Sequence, residues 1–167
     1  MKHFIILMMA LVFTSCSKDS GGVMAEPPVK ETINQQTDET VMKQKINLTI
    51  DGKKCEASLV DNAATKGLIA ALQQSDITYK ADDYGGFEKV GALGRSLSTD
   101  NQQITTVPGD IMLYNGNQIV IFYGSNSWSY TRIGRIDNQT VESLKSFLKA
   151  GEGSVNVTLS LKENNQF

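Results

Sequence analysis

The densest run of strand-forming residues in the chain is PGDIMLYNGNQIVIFYGSNSWSYTRIGRID, at positions 108–137. Asn115 and Gly116 separate two apolar runs within it, and both residue types tolerate the positive φ that a two-residue type I′ turn requires. The pattern therefore predicts an antiparallel hairpin. A third strand is predicted at 128–136. Strict alternation would place Trp128, Tyr130, Arg132 and Gly134 on one face, and Ser129, Thr131, Ile133 and Arg135 on the other.

Residues 1–15 have the features of a secretory signal peptide. Lys2 precedes ten uncharged residues at 4–13, a run too short to span a bilayer, and small residues follow. The segment Thr14-Ser15-Cys16 is similar to a lipobox, in which the cysteine is acylated and becomes the first residue of the mature chain. The alternative is an ordinary signal peptide with an incidental cysteine. The pattern predicts lipidation at Cys16, a membrane partner through that lipid, and a cell-envelope location on the periplasmic or the surface face.

Composition divides the rest of the chain into three parts. A length of 167 residues with 40% hydrophobic composition suits one globular domain once a signal peptide is removed. Residues 16–43 are rich in small, polar and charged side chains, so they are predicted to form a flexible tether behind the lipidated cysteine. The predicted domain spans residues 44–162, and residues 163–167 form a polar tail.

Charge and histidine usage exclude several functional classes. Removal of residues 1–15 takes away Lys2 and no acidic residue, which leaves 15 basic and 18 acidic residues and a net charge of −3. This balance argues against nucleic acid as a partner. The only histidine, His3, leaves with the signal peptide, so no imidazole remains for acid–base catalysis or metal binding. We expect no metal, no cofactor and a monomeric domain.

The first and last strands of the predicted domain share one alternating pattern. Apolar side chains recur at every second position in both strands: Ile46, Leu48 and Ile50 near the start, and Val155, Val157, Leu159 and Leu161 near the end. A turn at Asp51-Gly52 leads from the first strand to its neighbour. Pairing the first strand with the last would close the sheet into a barrel.

Two helices are predicted between the strands. The first has an N-cap at positions 61–62, and the second begins after Asn138 or Thr140 and ends near Gly151. Residues 93–108 are predicted to form a long surface loop, because their middle is polar.

Cys55 and the acidic pair Asp82-Asp83 are each open to a structural and a chemical interpretation. With Cys16 acylated, Cys55 is the one remaining free thiol of the mature chain, so no intramolecular disulfide is expected. It alternates with Ala57 and Leu59 and is predicted to be a core side chain, since no histidine is present to activate a nucleophile. The acids Asp82 and Asp83 are predicted to lie in a solvated turn, because the alternating ligands of a calcium loop are missing.

Five segments carry a resemblance to a known family: Asp83-Tyr84-Gly85-Gly86, Glu88-Lys89-Val90-Gly91, Gly109-Asp110-Ile111, residues 117–123 and Ile133-Gly134-Arg135-Ile136. Over residues 46–161 the chain resembles the bacterial cyclophilin-like fold family. Members often have an aromatic-Pro-Trp-Gly segment where this chain has Tyr114-Asn115-Gly116, so a differently shaped rim is expected. The resemblance implies a mainly β fold, a closed antiparallel cyclophilin-like barrel of about eight strands capped by two α-helices. It implies no particular activity, because a fold does not confer one.

True cyclophilins are peptidyl-prolyl isomerases that use an arginine beside a Phe-His-Arg segment. No such segment occurs here. The resemblance leaves Arg95, Arg132 and Arg135 as candidate catalytic residues for an isomerase that uses a non-standard arginine. The alternative for Arg135 is a structural ion pair with an acid such as Glu88.

Aromatic side chains near turns and strand ends favour a binding function. The candidate groove residues are Tyr84, Phe87, Tyr114, Tyr123, Trp128 and Tyr130. Such residues can hold a peptide or a small-molecule ligand when they are exposed, and the alternative is that they fill the barrel. The sequence therefore favours a lipid-anchored ligand- or peptide-binding module. The alternatives are an isomerase and a structural or accessory role.

Overall fold

The computed structural model describes residues 44–162, which are mainly β. In chain order the elements are β1 (Gln44–Ile50), β2 (Lys53–Leu59), α1 (Ala63–Leu72), β3 (Ile77–Tyr84), β4 (Glu88–Ala92), β5 (Gln102–Thr105), β6 (Asp110–Tyr114), β7 (Gln118–Phe122), β8 (Ser127–Ile136), α2 (Val141–Leu148) and β9 (Val155–Leu161). The predicted signal peptide, the lipidated Cys16, the tether and the polar tail lie outside the described residues.

Eight of these strands form a closed antiparallel barrel. Their order is β2-β1-β9-β3-β4-β7-β6-β8, and β8 pairs in turn with β2 to complete the ring. Leu48 on β1 lies opposite Leu159 on β9, so the predicted pairing of the first and last strands is confirmed. The predicted eight-stranded barrel with two helices is likewise confirmed. The short strand β5 pairs only with the first half of β8, outside the ring.

The strands β6 and β7 are apolar on both faces. Ile119 and Ile121 belong to the core inside the barrel. The alternate residues Val120 and Phe122 point outward and join a second set of buried side chains, here called the outer cluster: Met112, Val120, Phe122 and Tyr130. Burial on both sides explains the uninterrupted apolar run at 119–123, because a strand with only one buried face would alternate with polar residues. The turn between the two strands has positive φ at Asn115 and Gly116, as the sequence predicts.

Both helices begin with a reciprocal capping box. The side chain of Asn62 accepts a hydrogen bond from the backbone N–H of Thr65, and the Thr65 hydroxyl accepts one from the Asn62 N–H. The same arrangement joins Thr140 and Ser143 at the start of α2, so Thr140 is the N-cap. The left-handed residue that ends α2 is Lys149, with φ 51°, two positions before the predicted glycine. Within residues 44–162, neither helix has the length and apolar composition needed to span a membrane.

Strand β8 contains a bulge that changes which of its side chains share a face. Arg132 lies opposite Met112, whereas Gly134 lies opposite the preceding residue of β6, so Ile133 is an extra residue. Strict alternation along β8 is therefore wrong beyond Arg132. Arg132 and Arg135 lie on one outer face of the barrel rather than on opposite faces.

Two segments differ from their predicted structure. Residues 93–108 contain the strand β5, which the polar composition of Gln102 and Gln103 conceals; an edge strand exposed to solvent needs only backbone partners. Asp82 and Asp83 belong to β3 rather than to a solvated turn. The side chain of Asp83 is only 19% exposed, because it points inward at one end of the barrel.

Candidate functional site

A pocket of about 770 Å³ opens on the outer face of the barrel beside the outer cluster. Val90 on β4 and Val120 on β7 form part of its lining, since both side chains point outward from the barrel wall. The β3–β4 hairpin borders the pocket on one side, and the strands β6 and β8 border it on the other. The barrel wall is therefore the scaffold of the pocket, and aromatic side chains from its hairpins and strands surround the opening.

Five of the six aromatic residues singled out from the sequence line this pocket: Tyr84, Phe87, Tyr114, Trp128 and Tyr130. Tyr130 makes edge-on contacts with Phe122 and Tyr114, at ring-centroid distances of 5.6 and 6.1 Å. Tyr84 and Trp128 are 64% and 56% exposed. They are the two exposed aromatic side chains of residues 44–162. The pocket thus has packed aromatic rings at its base and exposed ones at its mouth.

Tyr123, the sixth aromatic residue, does not line the pocket. It continues the inward-facing positions of Ile119 and Ile121, so its ring belongs to the core inside the barrel. Its hydroxyl donates a hydrogen bond of 3.0 Å to Asp83 Oδ1. Successive side chains of a strand point to opposite faces, so the sequence itself already places Tyr123 on the face opposite to Phe122.

Phe87 is held at the pocket by two glycines. A Cβ on Gly85, whose φ is +61°, would lie 2.2 Å from the Phe87 ring, and a Cβ on Gly124 would lie 2.7 Å from its Cβ. The carbonyl of Phe87 accepts hydrogen bonds of 2.9 Å from the N–H groups of both Tyr123 and Gly124. The position of this ring therefore depends on the absence of side chains at both glycines.

Glu88 is the carboxyl group of the pocket, and no basic side chain of residues 44–162 forms an ion pair with it. It lies on β4 opposite Phe122 of β7, and only 6% of the residue is exposed. Its Oε2 atom is buried without a hydrogen-bond partner. Burial raises the pKa of Glu88 to about 7. Burial therefore favours the protonated form of Glu88 more than that of an exposed carboxyl group.

Lys89, the next residue, lies on the opposite face of β4 and is fully buried. Its ammonium group is 2.8 Å from Asp83 Oδ2 and also donates to the carbonyl of Gly153. The same carboxylate oxygen accepts hydrogen bonds from the N–H groups of Gly151 and Gly153, at 3.0 and 2.9 Å. Burial alone would raise the pKa of Asp83, but these donors outweigh it and hold the pKa below its usual value. We call this set of contacts the Asp83–Lys89 network.

The three candidate arginines do not line the pocket. Arg135 donates two hydrogen bonds to Asp110 Oδ1, at 3.0 and 2.7 Å, and Arg132 approaches the same buried oxygen at 3.4 Å. Arg95 is exposed in the segment after β4. The structural ion pair suggested for Arg135 is therefore present, with Asp110 rather than Glu88 as the acid. The bulge in β8 places both arginines on the outer face, where they contact Asp110.

The sequence pattern predicts only a structural role for Glu88, although the alternation of its neighbours indicates a strand that is buried on both faces. Glu88 alternates with Val90 on the outer face, while Lys89 faces inward, so the strand β4 buries charged residues on both sides. A charged pair in a strand buried on both faces identifies a site where each charge needs a partner. Only the structure reveals that one of the two has none.

The groups around the pocket support binding more directly than covalent chemistry. Its polar side chains, besides the tyrosine hydroxyls and the tryptophan N–H, are the carboxyl of Glu88 and the amides of Gln118 and Asn126. No serine, cysteine or lysine lines it within the described range 44–162. Over the same range, no three His, Cys, Asp or Glu side chains come close enough together to hold a metal ion. Cys55 lies half-buried against the barrel core, on a different strand.

Comparison with known proteins identifies the fold family. The model of the Cyclophilin-like family matches residues 48–160. The solution structure of the hypothetical protein AF2241 from Archaeoglobus fulgidus is similar to this chain, with a TM-score of 0.55 and 17% identity over 75% of this chain and 99% of the other. At that identity the likeness concerns the fold alone. No curated protein matches the sequence. Because the family model covers most of the barrel and more than half of the chain, the protein is a member of the Cyclophilin-like family.

Proposed function

We propose that this protein is a lipid-anchored ligand-binding module of the cell envelope, with the pocket beside the outer cluster as its binding site. The observation that carries the binding function is the joint presence of five aromatic side chains and a buried, unpartnered carboxyl group around one open pocket of about 770 Å³. Ligand pockets of this size are typically lined by apolar and aromatic groups, with few polar groups that orient the ligand.

A peptide or a small molecule fits this arrangement better than a metal or a nucleic acid. Exposed tyrosine and tryptophan side chains provide large contact areas at a small cost in conformational entropy. The exposed rings of Tyr84 and Trp128 stand at the mouth of the pocket, where a ligand would cover them. Isomerase activity has less support, since none of Arg95, Arg132 and Arg135 lines the pocket within residues 44–162.

A pocket-filling substitution tests the binding site. Trp128 is the only tryptophan of the chain, so its fluorescence reports directly on the pocket. The purified full-length protein is screened against short peptides and small molecules of neutral, cationic and anionic character. A ligand that shifts the fluorescence of the wild type should bind at least tenfold more weakly to Val90→Phe, in which the new ring occupies the pocket.

The matched control is Val107→Phe, since Val107 is exposed and lies outside the pocket lining. This variant should bind like the wild type, and both variants should keep the thermal unfolding midpoint of the wild type within a few degrees. A screen in which no compound shifts the fluorescence of Trp128 would overturn the proposal. Equal affinity of Val90→Phe and Val107→Phe would overturn the assignment of the site.

The membrane anchor is supported by the sequence pattern around Cys16. Expression of the full-length chain should place the protein in the membrane fraction, and Cys16→Ser should shift it to the soluble fraction, because the acylated thiol is removed. The control is Ser17→Ala, one position further on, which keeps the thiol. Unchanged membrane association of Cys16→Ser would exclude lipid anchoring at this residue and leave the binding proposal intact.

A further inference from the structure

The carboxyl group of Glu88 is an unsatisfied binding group inside an aromatic pocket. Its residue is 94% buried, which is the complement of its 6% exposure, and Oε2 has no hydrogen-bond partner. A buried polar atom without a partner carries the full penalty of its desolvation. A positively charged ligand group in the pocket, beside the Glu88 side chain that lines it, would offset that penalty.

The walls of the pocket favour a cation. The faces of tyrosine and tryptophan rings carry negative electrostatic potential and attract ammonium and guanidinium groups. Tyr84, Tyr114, Trp128 and Tyr130 supply four such rings from three strands. Together with Glu88 they form an arrangement of rings around one carboxyl group.

The pocket has no positive charge of its own that would attract an anion. Lys89 points to the other face of β4, where it belongs to the Asp83–Lys89 network. Arg132 and Arg135 are bound to Asp110. Within residues 44–162 no basic side chain lines the pocket. A carboxylate or phosphate ligand would therefore meet the negative charge of Glu88 without compensation.

We propose, on the basis of the binding function above, that the pocket binds an alkylammonium group, with Glu88 as its counterion and the four aromatic rings as its walls. The ammonium group pairs with the Glu88 carboxylate and places its alkyl chain against Val90 and Val120. Two sources present this chemistry: a free small amine, and the amino group of a lysine side chain in a peptide.

Protonation of Glu88 gives the proposal a pH signature. The titratable side chains that face it are Tyr84 from β3, Tyr114 from β6 and Tyr130 from β8. Burial raises the pKa of Tyr130, and burial together with Asp83 raises the pKa of Tyr123, behind the pocket, to about 12. A cation binds the ionised form of Glu88, so binding releases a proton and strengthens as the pH rises from 6 to 8. A ligand that accepts a hydrogen bond from the protonated acid would show the opposite trend.

The probes are a blocked tripeptide, acetyl-Gly-Lys-Gly-amide, and free butylamine. The neutral reference is the same tripeptide with norleucine, which keeps the alkyl chain and lacks the ammonium group. In the full-length protein at pH 8, isothermal titration and Trp128 fluorescence should give at least tenfold tighter binding of the lysine tripeptide than of the norleucine tripeptide. The affinity should fall at least threefold at pH 6. Tight binding of butylamine would identify a free amine as the source, and binding of the tripeptide alone would identify a peptide.

The variant Glu88→Gln should lose at least tenfold in affinity for the lysine tripeptide, because the ammonium group loses its negative counterion and meets only a neutral amide. Glu142→Gln, an exposed position at the start of α2, is the matched control and should bind like the wild type. Equal affinity for the lysine and norleucine tripeptides would overturn the cation assignment and leave the proposed binding function standing. Tighter binding at pH 6 than at pH 8 would overturn it as well, and this measurement needs no variant.

Discussion

Glu88 and Lys89 are adjacent on β4 and both are buried, but within residues 44–162 only Lys89 has a partner of opposite charge. Inside, Lys89 is fully buried and lies 2.8 Å from Asp83, which also accepts from a tyrosine hydroxyl and two backbone N–H groups. Outside, Glu88 is almost as deeply buried, and its Oε2 atom has no partner. The inner charges are satisfied by the fold itself. The outer oxygen has no hydrogen-bond partner among residues 44–162.

The largest expected effect on stability concerns Lys89, the residue whose charge is paired. Lys89→Met removes the fully buried cation and leaves the partly buried Asp83 with its remaining neutral donors. Loss of one partner of a buried ion pair costs about 3–5 kcal/mol, so the free energy of unfolding in urea should fall by that order. Lys80→Met is the control, because Lys80 is exposed on β3, and it should change stability by about 0.5 kcal/mol or less. Similar losses in both variants would mean that the Asp83–Lys89 network contributes no special stability.

The next effect concerns Glu88 and its pH dependence. Because burial raises the folded-state pKa to about 7 from an ordinary value of 4.5, the protonated form is favoured by folding. Its contribution to stability is therefore fully present below about pH 4.5 and is lost as the pH rises to about 7. Relative to Glu88→Gln, the wild type should lose roughly 1–3 kcal/mol of unfolding free energy between pH 4.5 and pH 8.

Urea denaturation of both proteins at several pH values measures that difference. The contribution of Asp83, whose pKa is lowered, is common to both proteins and cancels from the difference between them. Parallel pH profiles for wild type and Glu88→Gln would show that Glu88 is as well solvated as an ordinary surface acid. The contrast between the two faces of β4 would then disappear.

A smaller effect on stability is expected at the rim of the pocket. Trp128→Ala should change the unfolding free energy by about 0.5 kcal/mol or less, because more than half of this side chain is already exposed. The comparison is Tyr130→Ala on the same strand, where removal of a buried ring should cost roughly 3–5 kcal/mol. Thermal or urea unfolding separates the two cases. Severe destabilisation by Trp128→Ala would assign this residue to the core and weaken the binding function.

The smallest expected effect is that of the protein on the rate of prolyl cis/trans exchange. We expect at most trace acceleration of cis/trans exchange in a proline-containing peptide, because Arg132 and Arg135 are bound to Asp110 away from the pocket. Exchange is measured by NMR with the full-length protein and a cyclophilin at equal concentrations. Activity within about tenfold of the cyclophilin, or roughly 1.4 kcal/mol in the barrier, would contradict this expectation. Alanine substitutions at Arg95, Arg132 and Arg135 would then identify the residue responsible.

Sequence reasoning works well here wherever the fold depends on local rules. The Asn115-Gly116 turn needs residues that tolerate positive φ, and the alternation in β1 and β9 needs one buried face, so both are visible in the sequence. The strand β5 was missed because its pairing with β8 uses backbone groups and leaves its side chains polar. An edge strand of this kind has no hydrophobic period that would identify it.

The candidate site could be predicted in part. The position of aromatic residues near turns and strand ends identified five of the side chains that line the pocket, and Tyr123 belongs to the barrel core instead. The partners of the charged residues could not be predicted, because they depend on the strand order and on the bulge at Ile133. A glycine inside a strand, such as Gly134, often marks a bulge but does not identify the extra residue. Arg135 pairs with Asp110 and not with Glu88, because β6 and β7 lie between β8 and β4.

The barrel cannot close until β9 has been synthesised, because β9 pairs with both β1 and β3. The side chain of Asn47 on β1 donates to the carbonyl of Leu161 on β9, 114 positions later in the chain. Contacts at such separations form slowly, because a long loop must be ordered before any of them is gained. A nascent chain that has completed β8 still exposes the unpaired edges of β1 and β3, which are open to pairing with other chains. Synthesis of the seven residues of β9, the last strand within residues 44–162, provides the partner for both edges.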